Sequence, residues 1–381
     1  MISRRSLLRA TTGIAAAAPL SLAVPSAALA DPAAAGASGA SVPATLSATR
    51  GAVPTGVAIA PKLPLTHLSV NGTASVRLRT ESGWQPWRTT PGCSAAPDGR
   101  AAQPGMLIPA EGALDYEVRG EGVSVVEINT VDGPQRTVAA VQTRLPMNVP
   151  RQMCPQYLSR AAWGADESYR FNPDGTPKLD LKYFKVQTLT VHHSGEDVPV
   201  ADPIAHIRGI YYNQAITQDF GDIGYQLLID ADGRVYEGAY SDPDAVPVFG
   251  PTPGPDGLPL AVNGAHVGGF NGGNVGICLL GNYMQAPPSA AALRSLKVVL
   301  ARFAATAKLD PLATTEYVNP ISGKKATLNT ITTHQDWNRA NPDAGATLCP
   351  GDKLYELLPG IRQDVAALAK KLPPITVPAG K

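Results

Sequence analysis

Three short stretches in the first third of the chain alternate apolar and polar residues. They are Val76-Arg77-Leu78-Arg79-Thr80, Leu114-Asp115-Tyr116-Glu117-Val118-Arg119 and Val123-Ser124-Val125-Val126-Glu127-Ile128. Alternation puts one set of side chains on one face of a strand, and Gly and Pro mark the gaps between the runs. The pattern predicts a small antiparallel, sandwich-like β domain over residues 61–145. From Cys154 onward the pattern is mixed. Leu189-Thr190-Val191 reads as a short buried strand ending at His192. Asp202-Pro203 opens a helix, Asp as its cap and Pro at its first position, whose face carries Ile204, Ile207, Ile210 and Tyr211. Residues 224–230 and 234–237 form a hairpin about Asp232-Gly233. Asn274 to Leu280 is another buried strand. Ser289 caps a helix to about Lys308, and residues 354–372 form a closing helix with a break expected at Pro359-Gly360. Strands interleaved with helices predict an α/β domain over residues 154–373.

The ends of the chain change this picture. Paired Arg4-Arg5 precede an Ala-rich apolar run that ends in Ala28-Leu29-Ala30 before Asp31. This is the layout of a cleaved signal peptide over residues 1–30, and the arginine pair resembles the twin-arginine class. Its loss removes three arginines and no acid, taking the formal charge from +1 to −2. Residues 31–60 are mostly Ala, Pro, Gly, Ser, Thr and Val and read as a low-complexity linker. No later stretch is long and apolar enough to cross a bilayer. No basic block points to nucleic acid. The expectation is a secreted, cell-wall-located monomer with no integral membrane segment after signal cleavage.

Candidate chemistry is sparse. There are six histidines: His67, His192, His193, His206, His266 and His334. There are four cysteines: Cys93, Cys154, Cys278 and Cys349. His192-His193 ends a strand. Thr333-His334 and Thr347-Leu348-Cys349 lie at another strand end and in the loop after it. Imidazole and thiolate are zinc ligands, and a catalytic zinc keeps one position open. Spacing alone is a weak signal, because a lone His or Cys is more often structural.

Six motifs, in order, carry a resemblance. They are Arg160-Ala161-Ala162-Trp163-Gly164-Ala165, Val191-His192-His193-Ser194, Ile223-Gly224-Tyr225-Gln226, Gly264-Ala265-His266-Val267-Gly268-Gly269-Phe270-Asn271, Val275-Gly276-Ile277-Cys278-Leu279 and Cys349-Pro350-Gly351-Asp352. Together they resemble the peptidoglycan recognition protein / type 2 N-acetylmuramoyl-L-alanine amidase family, in the manner of an exported bacterial member, over roughly residues 154–360. The resemblance implies an α/β fold, a central mixed sheet flanked by helices, preceded here by the small antiparallel β domain. It implies Zn2+ held by His192, His334 and Cys349, with Tyr225 beside the zinc-bound water and Thr347 at a further catalytic position. It implies contacts to the muramyl peptide from His266 and Asn271, and a choice between groove and packing for His193. Non-catalytic relatives usually lose the cysteine or the tyrosine, and this chain keeps both.

The implied activity is zinc-dependent hydrolysis of the amide between N-acetylmuramic acid and L-alanine in peptidoglycan. The alternatives are a peptidoglycan-binding protein without turnover and a zinc amidase acting on another N-acyl amino acid. The chain departs from the family pattern in the longer interval between His334 and Cys349, where residues 338–345 are expected to loop out. A second, proline-rich insertion over residues 241–260 is expected at the surface, as a groove wall or as decoration. Trp84 and Trp87 form a core or a sugar-binding face, and the core is the expectation for so small a β domain. Cys93 and Cys154 can pair as a disulfide in an oxidising compartment, and Cys278 reads as a buried thiol. His206 is expected to be partly exposed, and His67 has no evident partner.

Overall fold

The alternation in Val76-Arg77-Leu78-Arg79 becomes burial: Val76 and Leu78 are inside, and both arginines face out. The computed structural model describes residues 39–377 except 91–94, 139–144, 147–148, 151–152, 197–198, 243–245 and 345. The expected signal peptide, residues 1–30, lies outside the described residues, as does Cys93.

Two antiparallel sheets make up the N-terminal part. One orders its strands Leu46–Ala52, Ser124–Asn129, His67–Asn71, Gly105–Pro109. The other orders Ala58–Ile59, Asp115–Arg119, Ser75–Thr80, Gly83–Trp84, with Arg88–Thr89 also paired to Ser75–Thr80. Leu68, Val70, Ile108 and Val125 of the first meet Val76, Leu78, Tyr116 and Val118 of the second in one apolar cluster. Residues 40–59, expected as linker, instead hold strands Ala40–Pro43, Leu46–Ala52 and Ala58–Ile59. Leu46–Ala52 is a sheet edge whose side chains are mostly exposed, so backbone pairing holds it rather than an apolar face. Arg50 adds a hydrogen bond to the fully buried Glu127, whose carboxylate also accepts from the Lys62 N–H and the Tyr116 hydroxyl. The tryptophans are not core. Trp84 is 37% exposed and Trp87 half-buried, because both lie on the outward face of their sheet, stacked with Arg77.

The second part is built on a six-stranded mixed sheet. Its order is Tyr157–Leu158, Val235–Glu237, Leu227–Ile229, Asn274–Leu279, Thr188–His193, Ile331–Thr333. The Leu227–Ile229 and Val235–Glu237 pair is the hairpin and is antiparallel; the other pairs are parallel. All but the half-buried edge strand Tyr157–Leu158 bury both faces, so their alternation separates two cores rather than core from water. Val191, Leu227, Ile229, Ile277 and Leu279 meet Leu296, Val299, Phe303, Leu354 and Ile361 of helices Ala290–Ala307 and Asp352–Ala369. Leu228, Tyr236 and Cys278 face the opposite way, toward Ile207, Ile210 and Tyr211 of helix Pro203–Tyr212. The Arg160–Trp163 motif is a structural staple: buried Arg160 bonds Glu167, Asp222 and the Gly238 carbonyl.

Helix Asp352–Ala369 does not break at Pro359. Pro359 and Gly360 lie on its exposed side, where water can satisfy the carbonyl left without a partner. The proline-rich insertion is not a groove wall. Its Val248 and Phe249 are buried in the core under helix Ala290–Ala307, and Leu260–Val262 pairs with Tyr183–Lys185. Among the described residues no helix is long and apolar enough to cross a membrane.

Candidate metal centre and groove

Strand alternation also aims the first ligand. Val191 enters the helix-backed core, so His192, next in the strand, points to the opposite face beside its register partner Cys278. On the other side, strand Ile331–Thr333 ends in a capped helix. Thr333 accepts from the Asp336 N–H while Asp336 accepts from the Thr333 N–H, which fixes where His334 begins that helix. Residues Pro342–Ala344 make a single tight turn, so the longer interval folds over the helix end and Cys349 still returns to the sheet. The Gln335 N–H donates to the Cys349 carbonyl at 3.0 Å, tying the two segments together.

The result is a cluster in which one ligand atom each from His192, His334 and Cys349 lie within 4.8 Å of one another. Cys349 Sγ is 3.5 Å from His192 Nδ1. The His193 N–H donates to the same sulfur at 3.4 Å, and the sulfur lies 3.8 Å from the His193 carbonyl.

A buried relay behind the cluster sets the tautomer of His192. His266 Nε2 lies 3.0 Å from the Asn274 carbonyl, which can only accept, so that nitrogen carries the proton. His266 Nδ1 is then bare and accepts from His192 Nε2–H at 3.0 Å. His192 Nδ1 is left bare and faces Cys349 Sγ. Burial, reinforced by the neighbouring histidines, holds His192 well below its ordinary pKa and His334 at about 3, so both rings are neutral. Two neutral imidazoles and a sulfur in this arrangement fit zinc, whose bonds to nitrogen and sulfur are about 2.0–2.3 Å.

The cluster opens onto a groove of about 440 Å³. Tyr225 and Thr347, the expected catalytic residues, both line it, and so does His193. The Tyr225 and His192 ring centroids are 5.2 Å apart. Thr347 Oγ1 accepts from the Cys349 N–H at 3.2 Å, which leaves its hydroxyl proton to point elsewhere. His193 Nδ1 accepts from the Tyr283 N–H, and burial lowers its pKa to about 4.

Two expected substrate contacts do not reach the groove. His266 is fully buried in the relay, packed where strand residue Gly276 leaves room for its ring. Asn271 is fully buried as well. Its Oδ1 accepts from the His266 and Val267 N–H groups, and its Nδ2 donates to the Ala96 carbonyl and to Asp98. It anchors the N-terminal part. Cys154, the described half of the expected disulfide, is exposed and lines a different cavity. Cys278 is fully buried, and burial raises its thiol pKa.

The sequence reading missed a second buried chain. His67 Nε2 meets His206 Nδ1 at 2.9 Å, and His206 Nε2 meets Glu196 Oε1 at 2.5 Å. Glu196 Oε2 accepts from Ser194 and from the Gly281 N–H. Burial alone would raise the Glu196 carboxyl, but His206 and Ser194 hold it at about 2. His67 and His206 are 139 residues apart, and nothing local in the sequence signals their contact.

Residues 182–352 match the family described as N-acetylmuramoyl-L-alanine amidase. Human peptidoglycan recognition protein 3 is 28% identical over 242 residues, covering 62% of this chain and 62% of that protein. Human N-acetylmuramoyl-L-alanine amidase is 30% identical over 209 residues, 54% of this chain and 28% of that protein. The chain thus spans less than two thirds of the length of these relatives. Among solved structures, Drosophila PGRP-LB superposes with a TM-score of 0.36 at 23% identity, covering 54% of this chain and 93% of that one. Human PGRP-IBETAC, solved in complex with glycosamyl muramyl pentapeptide, gives 0.36 at 22% identity, covering 54% and 95%. Residues 182–352, which hold the His-His-Cys cluster at a sheet-end groove, are thus the part of the chain that matches the N-acetylmuramoyl-L-alanine amidase family and is similar to peptidoglycan recognition proteins.

Proposed function

We propose that this chain is a zinc amidase that hydrolyses the bond between N-acetylmuramic acid and L-alanine in peptidoglycan. The observation that carries the reading is the convergence of His192, His334 and Cys349 beside Tyr225, on an open groove. Zinc, when bound by those three residues, supplies a Lewis acid for the scissile carbonyl and acidifies water. The rest falls to the chain. His266 keeps His192 in the one tautomer that offers Nδ1. Tyr225, whose ring lies 5.2 Å from that of His192 and whose side chain hydrogen-bonds the Cys278 thiol, supplies the phenol for the tetrahedral oxyanion, a kind of contact that contributes about 3 kcal/mol. Thr347, whose Oγ1 accepts from the Cys349 N–H at the groove, is the further hydroxyl assigned here to the substrate carbonyl. The same proposal has the chain exported with residues 1–30 removed; a secreted form whose N-terminus is Asp31 is the expected result of terminal sequencing.

The test is incubation of the zinc-loaded protein with muropeptides, followed by mass spectrometry. Free stem peptide beginning with L-alanine and an intact glycan are expected, and both disappear on chelation and in Cys349→Ala. Cleavage between sugars, full activity without metal, or binding without turnover overturns the proposal.

A further inference from the structure

The groove has a wall from outside the second part. Trp87, Arg88 and the strand Gly105–Pro109 of the N-terminal part border the same cavity as Tyr225, His334 and Cys349. Trp87 also belongs to a ladder of rings and guanidinium groups that runs from this rim onto the outer face of the N-terminal sheet. Arg119 and Arg77 stand 4.0 and 4.6 Å from the centre of the Trp87 ring, and the same Arg77 stands 4.4 Å from that of Trp84.

Strand alternation builds the ladder. Val76 and Leu78 enter the core, so Arg77 and Arg79 face out. Trp84 pairs in register with Arg79, which puts its ring on that outer face. Arg88–Thr89 pairs with the start of the same strand and places Trp87 just before it. The Gln85 N–H donates to the Leu78 carbonyl at 2.8 Å, so the turn between the two tryptophans is tied down. Arg77 is bonded to the buried Glu117 carboxylate at 2.5 Å. The cation between the rings is thus neutralised, and what Trp84 offers a ligand is ring surface.

That surface is open. Trp87 carries two guanidinium groups and is half-buried, whereas Trp84 carries one among the described residues and is 37% exposed. Neither indole N–H has an acceptor among the described residues, and neither is shut away from water. An indole face held on a rigid frame loses little freedom when a ligand covers it. A pyranose ring suits such a face. Its axial C–H groups carry partial positive charge and rest on the negative face of the indole, while the polar groups at its rim stay hydrated or accept from an indole N–H.

We propose that Trp84 and the edge of Trp87 form a saccharide subsite, which holds the glycan strand of peptidoglycan where it leaves the groove. This deepens the function proposed above and rests on it for the identity of the polymer.

The experiment uses the full zinc-loaded chain and a soluble tetrasaccharide of alternating N-acetylglucosamine and N-acetylmuramic acid without stem peptide, so that no amide is available to cleave. Binding is followed by NMR of the nitrogen-labelled indoles. The chain has four tryptophans, and Trp163 and Trp337, fully buried elsewhere, serve as internal references. The Trp84 and Trp87 signals are expected to shift saturably and the other two to stay still. Trp84→Ala is expected to weaken binding about tenfold, the scale of one ring stacked on an aromatic side chain. Trp84→Phe is expected to weaken it less, both with unchanged circular dichroism. A Trp84 signal that does not move, full affinity in Trp84→Ala, or equal binding of a glucan tetrasaccharide overturns the proposal. Muropeptides added to the same protein separate the two readings. Stem peptide released by a chain whose Trp84 ignores the glycan overturns this subsite alone. Glycan bound through Trp84 with no stem peptide released overturns the amidase reading and leaves the subsite standing.

Discussion

Replacing His266 by Phe keeps a ring of similar size in a site with no access to the groove, and removes two buried hydrogen bonds. One is the acceptor for His192 Nε2–H at 3.0 Å and the other is the donor to the Asn274 carbonyl at 3.0 Å. Each abandoned group is fully enclosed, because His192 is 0% and Asn274 1% exposed. An unsatisfied buried polar group costs about 1–3 kcal/mol, so the fold is expected to lose roughly that much or somewhat more. The larger consequence is at the ligand. Without His266, nothing sets which nitrogen of His192 carries the proton, and half of the ligand's orientation is lost. Removing such a partner of a metal-bound histidine weakens metal binding by about 10–100-fold. The assay is competition for zinc against a fluorescent chelator, with circular dichroism to confirm the fold. An independent perturbation reaches the same ring from outside: a Cβ on Gly276 would sit 2.6 Å from His266 Cγ and Cδ2. Gly276→Ala should therefore weaken zinc in the same direction. Zinc affinity within about threefold of the unsubstituted protein in His266→Phe would refute the relay.

Other expectations follow from the same geometry. Tyr225→Phe should lower turnover by about 10²–10³-fold while zinc stoichiometry, read by atomic emission, stays at one; loss of metal in this variant would make Tyr225 structural instead. Trp337→Ala should cost about 3–5 kcal/mol in denaturant unfolding, since the ring is 1% exposed and its Nε1–H donates to Thr190 at 2.8 Å. The metal-free protein should lose stability in acid. Burial holds His67 and His334 at about 3 and His193 and His266 at about 4, against 6.5 in the unfolded chain. Between those values the unfolded chain binds more protons, so stability is full above pH 6.5 and drains away as the pH falls toward 4. A flat unfolding midpoint over that window, by thermal melts at stepped pH, would contradict the neutral, buried histidines.

Much of the architecture is visible in the sequence because burial writes periodicity. Val76, Leu78, Tyr116 and Val118 announce the β sandwich by alternation, and Asp202-Pro203 and Ser289 announce helix starts by the chemistry of orphan N–H groups. Leu46–Ala52 announces nothing: its side chains are mostly exposed, and its pairing is made by backbone groups that every sequence carries. The ligand cluster is legible through the family resemblance, since strand-end position alone leaves a structural role open. His192 and His334 sit where strands end, and the rule that strand ends carry chemistry is local. The direction of His266 is not local. Its motif marks the residue as special, but whether it faces substrate or ligand depends on Gly276 of another strand and on the Asn274 carbonyl. Asn271 is misread for the same reason, since its partners Ala96 and Asp98 are more than 170 residues away.

The long-range polar contacts share one physical logic, and it bears on how the N-terminal part works. A module joined to an enzyme by a tether would meet it across solvated, exchangeable contacts. Here the junction instead buries Ser69 with Asn213 and His67 with His206, the latter passing on to Glu196 beneath the groove. Ser69, Asn213, His67 and His206 each lose a buried partner if the junction opens, while Glu196 keeps its donors His206, Ser194 and the Gly281 N–H within the second part. The junction therefore resists partial opening, and the strand Gly105–Pro109 and Arg88 are held at a fixed position relative to His192 and Tyr225. The N-terminal wall and the metal end then line one groove, and the amidase proposed above would meet its substrate across both.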